Sequence, residues 1–169
     1  MLEVGCGHGA VLDEIASCGR PRILAGIDVD ADPAIAAAAL ADVQAVHADA
    51  AALPFADAAF DLVVQATAFS SMLEDAVRRH AAAEMARVAG RAGRVVWFDF
   101  RLNPTNPRTR GVSRAEVRRL FPGWRFEWQR VALAPPLLRL LLPKHPVAAR
   151  RLEALRWANL HHLGLGRRG

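Results

Sequence analysis

Three glycines and a carboxylate stand where a chain could grip a nucleotide. Glu3-Val4-Gly5-Cys6-Gly7-His8-Gly9 sets glycines at alternate positions directly after the apolar stretch Met1–Val4. Glycines there let the backbone turn tightly and approach a ligand, and the free amides at the start of a following helix favour polar or anionic groups. The spacing is G-x-G-x-G rather than the G-x-G-x-x-G of the dinucleotide fingerprint, so the loop alone leaves open which nucleotide it holds. Farther on, Arg22–Asp28 is an apolar run that ends in a carboxylate, the pattern of a second parallel strand whose Asp28 can accept from both ribose hydroxyls.

The elements that must carry these residues follow from periodicity. Met1–Val4 reads as a short buried strand, and Ala10–Ser17, with Val11, Leu12, Ile15 and Ala16 on one face, as the helix after it. Asp32-Pro33 predicts an N-cap and a proline at the first helical position, opening an alanine-rich helix to about Ala41. Val43–Ala48, closed by Asp49, and Phe60–Gln65 read as further strands; Asp61 has a structural role. A long helix is expected over Ser71–Ala89, ending near Gly90, and a fifth strand over Arg94–Asp99. Ser113-Arg114-Ala115-Glu116 matches a capping box for a helix through Leu120, and Trp124, Phe126 and Trp128 alternate with polar residues as in a half-buried strand. Leu137–Leu142 predicts a short apolar helix stopped by Pro143, Pro146 begins another to about Leu160, and His161–Arg167 is the final strand. Open parallel sheets bind ligands beyond the C-terminal ends of their strands. That points to Gln65, Thr67, Ser70 and Ser71, and to Arg101, Asn103, Asn106 and Arg108.

Taken in order, E-x-G-x-G-x-G, G-I-D, H-A-D-A-x-x-L-P-F and F-D-L-V-V resemble the class I S-adenosylmethionine-dependent methyltransferases, in particular the type 11 group, over most of residues 1–131. The resemblance implies an α/β fold: a Rossmann-like, doubly wound, mostly parallel sheet with an antiparallel C-terminal strand pair, in three α/β/α layers. It implies one domain over residues 1–169, with a cofactor-binding core at 1–100 and substrate-side and C-terminal elements at 101–169. The implied cofactor is S-adenosylmethionine. Glu3 and the loop of Gly5, Cys6, Gly7 and Gly9 would hold its methionine moiety, Asp28 with Val29 its ribose, and Asp49, Ala50 and Leu53 its adenine, with Gln65 at the end of the fourth strand. Ser70, Ser71, Arg101, Asn103 and Asn106 would face the acceptor.

The implied reaction moves a methyl group from a sulfonium to oxygen, nitrogen or carbon of a small molecule, a glycan or lipid intermediate being among the candidates. Because the cofactor supplies the activated group, the protein mainly aligns donor and acceptor. No catalytic residue is assigned: His8 lies in the glycine loop, His47 precedes Asp49 and His80 falls within a helix. Two alternatives stand beside this expectation. One is a truncated or non-catalytic cofactor-binding remnant. The other is an NAD(P)-dependent oxidoreductase, disfavoured because it leaves Asp49 and Leu53-Pro54-Phe55 idle. Relatives carry a helical segment ahead of the glycine-loop strand that residues 1–169 do not supply, and the expectation is a start codon set too late or a truncation.

Length suits one domain with a sizeable core. No run of about 18 apolar residues exists, so no integral membrane contact is expected. Cys6 and Cys18 are the only cysteines, which points to reduced thiols in a cytoplasm. Charge divides unevenly: residues 1–75 carry a net −10 and residues 76–169 a net +15. The bases are almost all arginine, with Lys144 the sole lysine, in an alanine-rich, tyrosine-free chain. This suggests coding bias and solvated surface, and no nucleic-acid partner is expected. His161 and His162 read as a strand feature, so no metal site is expected. The sequence leaves the oligomeric state open.

Overall fold

The parallel strands alternate with helices, and their register builds the sheet outward from its centre. In the computed structural model the described residues are 1–19, 23–103, 106–133, 143, 145 and 159–169. The strands are β1 (Leu2–Val4), β2 (Leu24–Asp28), β3 (Val43–His47), β4 (Leu62–Ala66), β5 (Arg94–Phe100), β6 (Trp124–Leu133) and β7 (Asn159–Arg168). The helices are α1 (Ala10–Cys18), α2 (Ala31–Ala38), α3 (Ala68–Ser71), α4 (Asp75–Ala89) and α5 (Arg114–Leu120). Sheet order is β3-β2-β1-β4-β5-β7-β6. β1 pairs in parallel with both β2 and β4, β7 is antiparallel to β5 and β6, and the chain reverses its winding between β1 and β4. The doubly wound sheet with its antiparallel pair is the fold class expected from the sequence.

Strand residues alternate between two apolar layers. Ala25 and Ile27 of β2, Val63 of β4 and Val95 and Trp97 of β5 pack with α4 (Ala81, Ala82, Met85, Val88) and α5 (Val117, Leu120). Leu24 and Val43 instead pack with Leu12 of α1 and Ala37 of α2. Trp97, fully buried, is the keystone of the larger layer, with the Phe69 ring at 4.6 Å and the Phe121 ring at 6.1 Å. Such ring pairs add to the gain from apolar burial.

Four expectations change. The N-cap of α2 is Asp30, not Asp32: the Asp30 amide donates to the Asp28 carboxylate at 3.0 Å, which ends β2 and starts the helix two residues early. Pro33 then sits inside the first turn, where its missing N–H costs nothing. The helix over Ser71–Ala89 is two, because Met72 turns to an extended conformation (φ −80°, ψ 102°) and α4 begins only at Asp75. β6 runs on to Leu133, beyond the alternating aromatics. β7 begins at Asn159, inside the helix predicted to reach Leu160. The rest of that helix and the one predicted over 137–142 lie outside the described residues. Ser113 caps α5 as predicted, its hydroxyl accepting from the Glu116 amide at 3.1 Å.

Candidate functional site

At the reversal between β1 and β4 the C-terminal ends of the strands open into a cavity of about 360 Å³. Gly5 and Gly7 form one wall, Ile27 to Asp30 a second, and Asp49 with Ala50 a third. The side toward β4 is closed by Ala66, Thr67, Ala68, Ser71, Met72 and Val77.

Local chemistry explains the wall made by the glycine loop. Gly5, Gly7 and Gly9 all have positive φ (75°, 51° and 83°). A Cβ on Gly5 would stand 2.5 Å from the Ala68 Cβ, so the loop and the start of α3 touch only because Gly5 has no side chain. Gly9 serves packing: a Cβ there would meet Leu40 and Ala37, and its amide donates to the Cys6 carbonyl. Asp28 organises the loop from below. Its Oδ2 accepts from the Gly7 amide at 2.7 Å and its Oδ1 from the Asp30 amide at 3.0 Å. A carboxylate has about four acceptor positions, so both oxygens keep capacity for a ligand. Asp49 is fixed in the same manner by the Ala51 amide at 2.8 Å. Thr67 holds a left-handed conformation (φ 63°) at the cavity wall, strain of the kind that gathers at ligand sites.

Glu3 lies beneath the loop, 1% exposed, and its Oε2 has no hydrogen-bond partner among the described residues. Burial, and then the charge of Asp28, push its carboxyl up to about 8. Burial also pushes the Cys6 thiol up to about 11, with Glu3 and Asp28 adding to the effect. Asp28, Asp30 and Asp49 make the site electronegative, while burial keeps Glu3 beneath them largely protonated at neutral pH. These residues fit a nucleoside that carries positive charge, and no basic residue among the described ones lines the cavity.

The structure thus gathers Gly5, Gly7, Asp28, Val29, Asp49, Ala50 and Ser71 around one space. Glu3, Cys6, Gly9, Leu53 and Gln65 stand outside its lining. Leu53 belongs to the core, and its amide donates to Glu84 at 2.8 Å. Gln65 is buried; its Oε1 accepts from the Ala68 amide at 3.2 Å, holding the turn into α3. Ser70 is buried too, its amide donating to Asp99 at 3.1 Å. The Arg101 amide donates to Leu160, the Asn103 amide group donates to Thr109, and Asn106 accepts from the Arg108 amide, so the last two shape the loop after β5. His161 and His162 both lie in β7, with His161 stacked 4.8 Å from Phe98.

Sequence reasoning missed Met72 and Val77, which line the cavity, and Arg78, which supports them. The buried Arg78 donates to the Met72 carbonyl at 2.7 Å, the Arg110 carbonyl at 2.8 Å and Glu116 at 2.6 Å. It ties the α3–α4 turn to α5. The signal available was the missing polar alternation at Met72-Leu73, too short to separate from a continuous helix.

Residues 1–93 match a family model described as a methyltransferase domain. None of the curated proteins compared with the chain matches it. Solved structures share its fold. The YcgJ protein of Bacillus subtilis has a TM-score of 0.70 and 16% identity, over 99% of this chain and 92% of that one. An S-adenosylmethionine-dependent methyltransferase from Mesorhizobium loti has a TM-score of 0.71 and 14% identity, over 99% and 89%. The [4+2]-cyclase SpnF has a TM-score of 0.70 and 19% identity, over 99% and 74%. At these identities the likeness establishes the fold, and a fold hosts more than one chemistry.

Proposed function

This chain belongs to the methyltransferase-domain family and is an S-adenosylmethionine-dependent enzyme, and from that premise we propose that it methylates a small-molecule acceptor, a glycan or lipid intermediate being a candidate. The observation that carries the proposal is the cavity at the reversal of the sheet, walled by the glycine loop and three carboxylates. Its acidic lining suits a cationic nucleoside, and the G-x-G-x-G spacing of its loop departs from the dinucleotide fingerprint.

In this reading Asp28 accepts from the ribose hydroxyls, Asp49 and the Ala50 amide read the adenine edge, and Glu3 holds a buried carboxyl beneath the methionine end, protonated until a cationic group there helps to ionise it. When bound, S-adenosylmethionine supplies the activated methyl group on its sulfonium. Thr67, Ser71 and Met72 bound the space that an acceptor enters, and the loop after β5 is tied to α3 by the Arg110 amide, which donates to the Ser70 carbonyl at 2.8 Å. The chain's contribution is alignment and exclusion of water, and no side chain is assigned as general base. Cys6 and Cys18 are both free thiols, which supports a cytoplasmic setting. Residues 1–169 act as one domain in this reading, the cofactor core at 1–100 and the substrate-side elements at 101–169.

The test is calorimetric titration of the 169-residue chain with S-adenosylhomocysteine, with NAD as the competing ligand. The expected result is a Kd of roughly micromolar order, weakened at least about tenfold by Asp28→Ala or Asp49→Ala, and no comparable NAD binding. A folded chain that binds neither ligand would support a non-catalytic remnant. Preferential NAD binding would overturn the proposal.

A further inference from the structure

Three arginines, one just after β5, one at the start of α5 and one in β6, gather near the ends of β5, β6 and β7. Register sets Asp99, His162 and Arg130 in one row across β5, β7 and β6. Arg101, two residues beyond Asp99, belongs to the same face of the sheet. Arg114 opens α5 and lies with its guanidinium 5.5 Å over the Trp128 ring, which in turn is 5.8 Å from the His162 ring. His162 itself is 5% exposed. Burial, followed by the charges of Arg114, Arg101 and Arg130, pushes its imidazole down to about 4, so it adds no fourth charge at neutral pH.

Nothing among the described residues balances these cations. The ion pairs there involve Arg78, Arg87, Arg110 and Arg167, and none includes Arg101, Arg114 or Arg130. The Nε atoms of Arg101 and Arg114 are buried without a hydrogen-bond partner. The neighbouring carboxylates are engaged elsewhere. Asp99 accepts from the Ser70 and Phe100 amides, Glu116 pairs with Arg78 and Arg110, and Glu127 pairs with Arg167. Arg78 shows the contrast, since its Nε and both terminal nitrogens all donate.

Gathering like charges, two of them half-buried, with no acceptor among the described residues is unfavourable unless an anion completes the group. Guanidinium forks match the paired oxygens of a carboxylate or phosphate. Ser70 ties the cluster to the cofactor cavity: its amide meets Asp99, and its neighbour Ser71 lines the cavity wall. We propose that Arg101, Arg114 and Arg130 form a binding site for an oxyanion, a carboxylate or phosphate carried by the acceptor. Assigning the anion to the acceptor rests on the methyl-transfer reading above; oxyanion binding as such does not.

The test titrates the full chain with inorganic phosphate, with succinate and with neutral glycerol, at ionic strength held constant by potassium chloride. The expected result is saturable binding of at least one anion and none of glycerol, with Arg114→Gln and Arg130→Gln each weakening the anion about tenfold or more. Both variants should keep their S-adenosylhomocysteine affinity within about twofold. Phosphate binding without succinate binding would mark the acceptor as a phosphate ester, and the reverse as a carboxylate. Arg130 is exposed, so its variant tests the site even where Arg114→Gln disturbs the packing on Trp128. Absence of anion binding, or equal binding by both variants and the parent, would overturn the site. Anion binding without S-adenosylhomocysteine binding would instead leave the site standing and overturn the methyl-transfer reading.

Discussion

Replacing Glu3 by Gln should alter how stability depends on pH, and the effect can be worked from the structure. Glu3 is buried, and its carboxyl is raised from 4.5 to about 8. A raised acid favours the folded state below its unfolded pKa, and that contribution is lost as pH climbs through the folded value. The loss accrues at about 1.4 kcal/mol per pH unit between the two pKa values. His162 works in the opposite sense: lowered from 6.5 to about 4, it adds stability as pH rises to 6.5 and nothing more above that. The window free of His162 is therefore pH 6.5 to 8. The Met1 amine, lowered from 8.0, opposes Glu3 there, so the parent chain alone does not isolate the effect. The difference between Glu3→Gln and the parent does, and it should move in favour of the variant by about 2 kcal/mol across that window. Urea denaturation at half-unit pH steps measures it. Parallel profiles for the two proteins would show that Glu3 is ionised throughout, and would refute the reasoning from its burial.

Other perturbations have equally definite outcomes. Arg78→Met leaves Glu116 without its buried partner and two carbonyls without donors, a loss of about 3–5 kcal/mol by urea denaturation; a loss under about 1 kcal/mol would mean the contacts are incidental. Gly5→Ala, placed at φ 75° with its Cβ 2.5 Å from that of Ala68, should weaken S-adenosylhomocysteine binding by about tenfold or more and lower the melting temperature; unchanged binding would detach the loop from the ligand. Ser113→Ala removes the cap of α5 and should cost about 1 kcal/mol with cofactor binding intact.

The glycine loop and Asp28 were legible in the sequence because each is set by local chemistry: an apolar strand, a turn only glycine permits, a carboxylate at a strand end. The α5 cap was legible for the same reason, since Ser113 and Glu116 meet within one turn. What escaped was decided at long range. Leu53 looks like an adenine neighbour in sequence, but Glu84, 31 positions away, takes its amide and the core takes its side chain. The break between α3 and α4 hides in a stretch whose apolar spacing is compatible with one helix, and the arginine that stabilises it reads as surface. Asp32-Pro33 carried a sound capping pattern, yet Asp30 wins because Asp28, already holding Gly7, also draws in the Asp30 amide.

The place of β7 has a consequence for how the sheet is completed. β6 precedes β7 in the chain, yet β7 lies between β5 and β6 and pairs with both. Until it inserts, the β5 edge has nothing to bond to and β6 has no sheet to join. Gly164 and Gly166 receive the rings of Trp128 and Phe126 directly over their backbone, a fit that a strand shifted by one residue would destroy. Closure of the sheet thus joins distant parts of the chain in a single register. During refolding, the waiting β5 edge is where a second molecule could pair first, so yield should fall with protein concentration before any loss of native stability is seen.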